Sequence, residues 1–493
     1  MSNKKVYTYG IFIFRKDLRI DDNRGLVKLS KEYDKIIPVF IFDPYQVDLD
    51  SRTKNFLSFP ALRFICEGVK DLNKSIGKTG LNVFYGEPIE VIKHIVGELK
   101  IDSKLLALGF NADFTEYSIK RDNEIRDFCK ANNINILVCE DDNTLCDMNL
   151  LLKEPGIPYK QYGAFKKNML ENKNKFNKVD NTKIKFSKPT KAISKTLTFN
   201  EIDELWEEHM EKNYNPLEVG NRKLGLDILS KLKDFKDYNT KRDILSYSTT
   251  HLSAYLNFGL ISEREFYWAL VSKLGNTTQL VSQVIWREYY LCILRYLQGA
   301  SSYTSHIDPR YNKIKWVKDI PNKTSKVWKE WELMMDSKTG FLLVDAAIQE
   351  LLKTGFMHNR CRMIVGVFSV KYLGINPLCR YIGLNDWFSR HLVDCSTSQN
   401  KLNTQWVTEL DFPGKKFAPS NAPIAGRPMN ISNSMIKKWD PDCIYIKYWL
   451  PHLGSIDNKI LYNWDTKYNQ SIHPKPIFDH KTRYAEWINM CKS

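Results

Sequence analysis

Five short apolar runs recur along roughly the first 140 residues, each followed by a helical stretch, and no other feature constrains the fold as strongly. The runs are VYTYGIFIF (6–14), IIPVFIF (36–42), LNVFYG (81–86), KLLALGF (104–110) and NINILVC (133–139). Amphipathic segments near 24–32, 59–76, 88–99 and 117–131 separate them. Near-continuous apolar strands alternating with helices predict a parallel sheet, because a parallel pair needs a crossover and the crossover helix covers the sheet. Residues 1–140 are therefore expected to form an α/β domain with helices on both faces. Residues 141–202 read as an interdomain linker, rich in Lys and Asn from 166 to 200 and without apolar periodicity there, hence an exposed connector. From Asp203 onward the periodicity is helical, with Gly355 and Gly374 as stop signals, so 203–493 are expected to be all-α.

The α/β part has no G-x-G-x-x-G. Gly77-Lys78-Thr79 looks like the end of a P-loop, but Leu72 stands where the first glycine belongs, which excludes a complete one. The chain carries 73 basic against 57 acidic residues, net +16, which favours a polyanionic partner, nucleic acid before an anionic membrane. Ten cysteines are scattered without a C-x-x-C pair, the pattern of reduced intracellular thiols and neither a disulfide framework nor a metal site. The N-terminal apolar run is too short for a signal peptide, and none reaches the ~18 residues of a membrane span. We expect an intracellular monomer, in the cytoplasm or nucleus, with no membrane attachment and no metal.

Two helical stripes in the second half are neither surface nor ordinary core. QVIWREYY puts Gln283, Trp286, Arg287 and Tyr290 on one helical face, and GFMHNRCRM does the same for Asn359, Arg362 and Met363. A plain core stripe would be Leu, Ile and Val. Buried amides and guanidinium groups need partners, since each unpaired polar group costs roughly 1–3 kcal/mol. The pattern predicts a polar, aromatic-walled cavity for a large cofactor or ligand.

Taken in order, TTHLSAYLNFG, IWREYY, KTGF-x3-DAA, FMHNRCRM and LVD-x11-W resemble the flavin domain of the photolyase/cryptochrome family. FRKDLRIDDN resembles the family's FR-x-DLR-x-x-DN opening, and the likeness spans nearly the whole chain. The resemblance is closest to class I-type photolyases of cyclobutane pyrimidine dimers. It implies an α/β antenna domain, a linker and a helical domain holding FAD, with a second antenna chromophore, folate or deazaflavin, left open. By resemblance, Tyr238, Thr249, Thr250, His251, Leu252 and Ser253 hold the FAD phosphates and ribityl chain, with Arg287 as a phosphate ligand. The family usually has Arg where His251 stands. Arg362 and Asp394 match an ion pair beside the isoalloxazine ring, and Asn400 matches the residue facing its reactive nitrogen. Ser396 replaces a usual second Asp, and Gln283, Tyr290 and Asn359 complete the cofactor set.

On the substrate side, Trp286 and Trp406 match aromatics that hold a flipped-out dimer in ultraviolet-damaged DNA, with Arg360 on the phosphate track. Asn359, Arg360 and Met363 match the cyclobutane-dimer pocket; (6-4) photolyases carry His at the positions of Asn359 and Met363. Gln283 points the other way, since cyclobutane-dimer enzymes have Glu there and (6-4) enzymes Gln. The implied catalytic set is Gln283, Trp286, Asn359, Met363, Asn400 and Trp406. Thr404 replaces the family's flavin-proximal Trp, Tyr381 aligns with the middle one, Trp316 takes the outer place and Trp387 lies near in sequence, so the usual photoreduction relay is broken or rerouted. The implied activity is light-driven repair by a carbon–carbon lyase. The alternative is a cryptochrome-type photoreceptor, which usually extends further beyond the segment matching HPKPIFDHKTRYAEW.

Overall fold

The computed structural model describes residues 7–47, 57–189, 191–207, 214–297, 306, 311–312, 314–316, 323–379, 383–408 and 429–492. Its five strands are β1 (Tyr9–Phe14), β2 (Lys35–Phe42), β3 (Asn82–Tyr85), β4 (Leu106–Asn111) and β5 (Asn135–Cys139). All pair in parallel, in the order β3-β2-β1-β4-β5, with Ile11 opposite both Ile37 and Leu108. The crossovers are α1 (Arg24–Glu32), α2 (Phe59–Ile76), α3 (Pro88–Leu99) and α4 (Glu116–Ala131). Successive strand residues face opposite ways. Ile11, Ile13, Val39 and Leu108 share one core with Ile92 and Ile95 of α3 and Ile125 of α4. Gly10 and Gly109 let Leu29 of α1 approach the sheet, and a Cβ on Gly10 would lie 2.8 Å from Leu29. Helices therefore cover both faces, as the alternation predicts. Gly77–Thr79 is a single turn at the C-terminal end of α2, where carbonyls and not N–H groups are exposed, the wrong end of a helix for phosphate.

The FRKDLRIDDN segment is a buried polar knot. Arg19 donates to both oxygens of Asp142 at 3.0 and 2.9 Å, and Arg264 pairs with Asp22 at 2.9 Å with both partners fully buried. Asn23 caps α1 by accepting from the Leu26 N–H. Gly259 is obligatory beside this loop: its φ is +65°, and a Cβ there would meet the Lys16 carbonyl at 2.3 Å. The motif thus fastens the loop after β1 to the NFG turn.

By its internal contacts the chain divides into two units, one of residues 1–210, 218–234 and 251–297, the other of 211–217, 235–250 and 298–493. Besides the sheet, the first contains α5 (Tyr162–Glu171), α6 (Glu263–Leu274) and α7 (Gln279–Tyr296). Part of the segment expected to be a featureless connector is thus helical, and Phe186 within it forms a bridge with Ile36 of β2. Phe165 and Met169 of α5 are fully buried, which is why this stretch is not a solvated tether.

The second unit contains helices joined by loops and no strand among its described residues. Its core joins Leu343, Ala347 and Leu351 of α8 (Leu342–Thr354) to Ile364 and Val365 of α9 (Asn359–Val367) and Trp387 and Phe388 of α10 (Leu384–His391). α11 (Thr397–Val407) packs on α9 and α10. The expected stop signals are present, with Gly355 at φ +72° capping α8 and Gly374 at +68°. Asp345 in DAA holds the turn before α8, accepting from the Thr339 N–H and hydroxyl and the Gly340 N–H. None of the ten cysteines is in a disulfide, and no helix among the described residues is long and apolar enough to cross a membrane.

Candidate functional site

In the first unit, α7 buries Val284, Ile285 and Ile293 and leaves Gln283, Trp286 and Arg287 half-buried on the other side. The predicted polar-aromatic stripe is therefore a real face, closed at one end by Tyr290, which is 8% exposed. One face of the Trp286 indole is covered by Tyr162 of α5, with ring centroids 3.5 Å apart and planes 4° from parallel. The Tyr162 hydroxyl donates to the Ser282 carbonyl at 3.0 Å, and the Lys166 Nζ donates to the Ser282 hydroxyl at 2.8 Å.

Arg287 is heavily engaged. It pairs with Glu263 at 2.7 Å and donates to the carbonyls of Asn143 and Leu256, each at 3.2 Å. A phosphate would have to share this fork with a carboxylate. The neighbouring Glu288 is fully buried and accepts from the Leu145 N–H. Burial first, and then the charge of Glu263, push its carboxyl up to about 8, so it holds a proton at neutral pH. His251 adopts a left-handed conformation, φ +52°, and its Nδ1 lies 2.9 Å from the buried Glu218 carboxylate. Leu252 turns into the core at 2% exposure, so only its backbone can serve a ligand, whereas the Ser253 side chain is exposed.

In the second unit, Thr249 and Thr250 present half-buried hydroxyls. Burial raises the phenols of Tyr238 and Tyr247 above their ordinary range, and the Tyr247 hydroxyl is buried without a hydrogen-bonding partner among the described residues. His358 caps α9, its Nδ1 accepting from the Arg360 N–H at 3.1 Å. This cap sets Asn359 at the first helical position, exposed, with Arg362 and Met363 half-buried on the same face. Arg362 makes the expected pair with Asp394, Nη1 at 3.1 Å and Nη2 at 2.9 Å, while its Nε donates to the Met357 carbonyl at 2.8 Å. The Asp394 loop is pinned by the Val393 N–H on the Gly355 carbonyl at 2.7 Å. Asn400 of α11 donates through Nδ2 to the Cys395 sulfur at 3.2 Å, and the Ser396 carbonyl accepts from the Asn400 N–H at 2.8 Å. Arg360 is paired with Asp243 at 2.5 Å, so a DNA phosphate would compete with that carboxylate.

Of the residues aligned with an aromatic relay, Thr404, Trp316 and Trp387 are among the described ones. Thr404 is buried, and its carbonyl accepts the Thr408 hydroxyl at 2.6 Å. Trp387 is buried with its ring 5.0 Å from His391, and Trp316 lies 5.6 Å from Trp487. Tyr381 and the side chain of Trp406 lie outside the described residues. No cluster of metal-ligating side chains occurs among the described residues.

The donor set fits a flavin dinucleotide. Within the second unit, hydroxyls at Thr249 and Thr250, and the orphan Tyr247 hydroxyl, suit phosphate and ribityl oxygens, while a guanidinium–carboxylate pair and an amide suit the edge of a heteroaromatic ring. Tyr162, Glu218, Glu263 and Cys395 were not found by sequence reasoning. Only Tyr162 had a signal, the Tyr162, Phe165, Met169 spacing of one helical face.

Comparison with known proteins agrees with this architecture. A family model described as DNA photolyase matches residues 11–184, and one described as the FAD binding domain of DNA photolyase matches 280–493. The chain is 27% identical over 511 aligned residues to a protein of Arabidopsis thaliana named (6-4)DNA photolyase, covering 96% of this chain and 86% of that one. It is 26% identical to a deoxyribodipyrimidine photo-lyase of Buchnera aphidicola subsp. Baizongia pistaciae, covering 95% and 94%. The crystal structure of an archaeal photolyase from Sulfolobus tokodaii, described with two FAD molecules, superposes with a TM-score of 0.80 at 26% identity, covering 98% of this chain and 99% of that one.

Proposed function

Because this chain belongs to the photolyase/cryptochrome family and carries its FAD-binding domain, we propose that it is a light-driven repair enzyme for cyclobutane pyrimidine dimers in DNA. The observation that carries this reading is the face of α9: Asn359 exposed and Met363 half-buried on one side, with no imidazole at either place. Repair of (6-4) lesions in this family is associated with His at both positions, and an amide and a thioether cannot do the acid–base work of imidazole. Gln283, and the similarity to the Arabidopsis protein, favour a (6-4) reading. A carboxamide at 283 can still donate to a pyrimidine carbonyl, so it is compatible with either lesion.

When bound, FAD supplies light absorption and the electron that reaches the lesion. The chain's own residues bind, orient and exclude water. The hydroxyls of Thr249, Thr250 and Ser253 would donate to the FAD phosphate oxygens. The Arg362–Asp394 pair would offer both a donor and an acceptor to the flavin ring, and Asn400 an amide without net charge. Trp286 offers its indole to a flipped base, and the net positive charge of the chain draws the duplex. A second, antenna chromophore belongs to the same proposal; the Sulfolobus photolyase structure is described with two FAD molecules.

The test is binding in the dark to three duplexes, one with a cyclobutane dimer, one with a (6-4) lesion and one undamaged. We expect the dimer duplex to bind tightest, and all three affinities to fall steeply with salt as counterions are released. Preference for the (6-4) duplex would overturn the assignment; equal affinity for all three would remove the repair reading and leave the photoreceptor one.

A further inference from the structure

Tyr162 lies in the segment read as a linker, yet it makes the tightest aromatic stack between described residues of the first unit. Its ring lies 3.5 Å from the Trp286 ring at 4°. That separation is van der Waals contact, so no base can enter on that side of the indole. Three further contacts hold α5 in place. The Tyr162 hydroxyl is bonded to the Ser282 carbonyl, Lys166 to the Ser282 hydroxyl, and the Tyr289 hydroxyl to the Lys160 carbonyl at 2.8 Å. Tyr289 also meets Tyr162 and Trp286 edge-on, at 5.9 and 5.7 Å. The Trp286 side chain, half-buried, thus packs against a helix far from it in sequence as well as against Tyr289 and Tyr290 of its own helix.

We propose that Tyr162 is a positioning residue for lesion recognition: it blocks one face of Trp286 and fixes the indole, so that a flipped pyrimidine meets only the opposite face or edge. The proposal rests on the reading of Trp286 as a base-stacking residue. The physical gain is pre-organisation. An indole free to rotate must be ordered when the base arrives, and that entropy is subtracted from affinity. With Tyr162 in place it has been lost already, on folding. The linker helix then belongs to the recognition wall, and its role is exerted through Trp286.

A double-mutant cycle measured as dark affinity separates this role from simple stability. Trp286→Ala should weaken binding of dimer-containing DNA by roughly 5- to 140-fold, the range set by base–aromatic stacking, and leave undamaged DNA nearly unaffected. Tyr162→Ala should lower lesion affinity by a smaller factor, about 3- to 10-fold as expected for one freed aromatic side chain. Added to Trp286→Ala it should have no further effect. Tyr162→Phe, which keeps the stack and loses the bond to Ser282, should restore lesion affinity. Should Tyr162→Ala fail to fold, Tyr162→Leu keeps apolar volume without an aromatic face and carries the same expectations. If the position 162 change lowers affinity by the same factor with and without Trp286, or equally for damaged and undamaged DNA, the proposal is overturned. If Trp286→Ala abolishes lesion preference while Tyr162→Ala leaves it intact, this inference falls and the reading of Trp286 stands. If Trp286→Ala leaves lesion preference intact, the reading of Trp286 falls and the inference with it.

Discussion

Replacing Asp394 tests whether the Arg362–Asp394 pair is a structural strut as well as a proposed flavin contact. The carboxylate is 5% exposed and accepts two guanidinium N–H bonds; Arg362 is 16% exposed. Removing one partner of a buried pair costs about 3–5 kcal/mol, mostly from the charge left behind. Two features lower that here. Water reaches part of the guanidinium, and its Nε keeps the Met357 carbonyl at 2.8 Å. We therefore expect Asp394→Ala to cost about 2–4 kcal/mol. Asp394→Asn, which retains one acceptor oxygen and the packing, should cost about 1–2 kcal/mol. The assay is urea unfolding of flavin-free protein, followed by a repeat with FAD in excess. Added ligand stabilises by RT ln(1 + [L]/Kd), so the difference between the two experiments isolates the binding role. An Asp394→Ala protein that unfolds at the parent midpoint with an unchanged slope would refute the strut. A full FAD increment in a destabilised variant would remove the pair from the flavin site.

Three further outcomes follow from the geometry. Glu288 titrates near 8 in the folded chain against an ordinary 4.5, so its contribution is fully present below about 4.5 and is lost as pH rises towards and through 8; in Glu288→Gln this loss should vanish, and parallel stability–pH curves for the two proteins between pH 5 and 9 would contradict it. Thr404→Trp should speed photoreduction of oxidised FAD by supplying the missing proximal donor, at a cost of about 1–3 kcal/mol because position 404 is buried; a folded, flavin-loaded variant no faster than the parent would mean another route already serves. Gln283→Glu should keep or raise repair of cyclobutane dimers and add none on (6-4) lesions, measured by loss of each lesion from a defined duplex; new (6-4) activity would contradict the assignment.

What could be read from the residues depended on how local the governing physics is. The sheet was legible because burial on both faces writes itself as apolar runs, and Ile11, Val39 and Leu108 indeed share one core. The Arg362–Asp394 pair was legible only through resemblance, since nothing local joins the two residues. Arg287 shows the limit: a guanidinium with phosphate-binding chemistry is committed to Glu263 and two carbonyls, partners that the tertiary fold supplies. The linker shows another. Lys and Asn dominate its composition, but Tyr162, Phe165 and Met169 at helical spacing dock it onto α7, and a few large side chains outweigh many solvated ones. The FRKDLRIDDN segment was legible only as a family resemblance, and what its Arg19, Asp22 and Asn23 do, forming a buried knot that shapes the loop after β1, depends on partners distant in sequence.

The most direct measurement of the central claim is lesion turnover by the whole chain with its FAD chemically reduced. A duplex carrying one cyclobutane thymine dimer and another carrying one (6-4) lesion are each incubated with it, in blue light and in darkness. Intact thymines should return from the cyclobutane dimer in light only, and the (6-4) lesion should persist under both conditions. Repair of the (6-4) lesion, or a flavin-loaded protein that leaves both lesions unchanged in light, would contradict that claim.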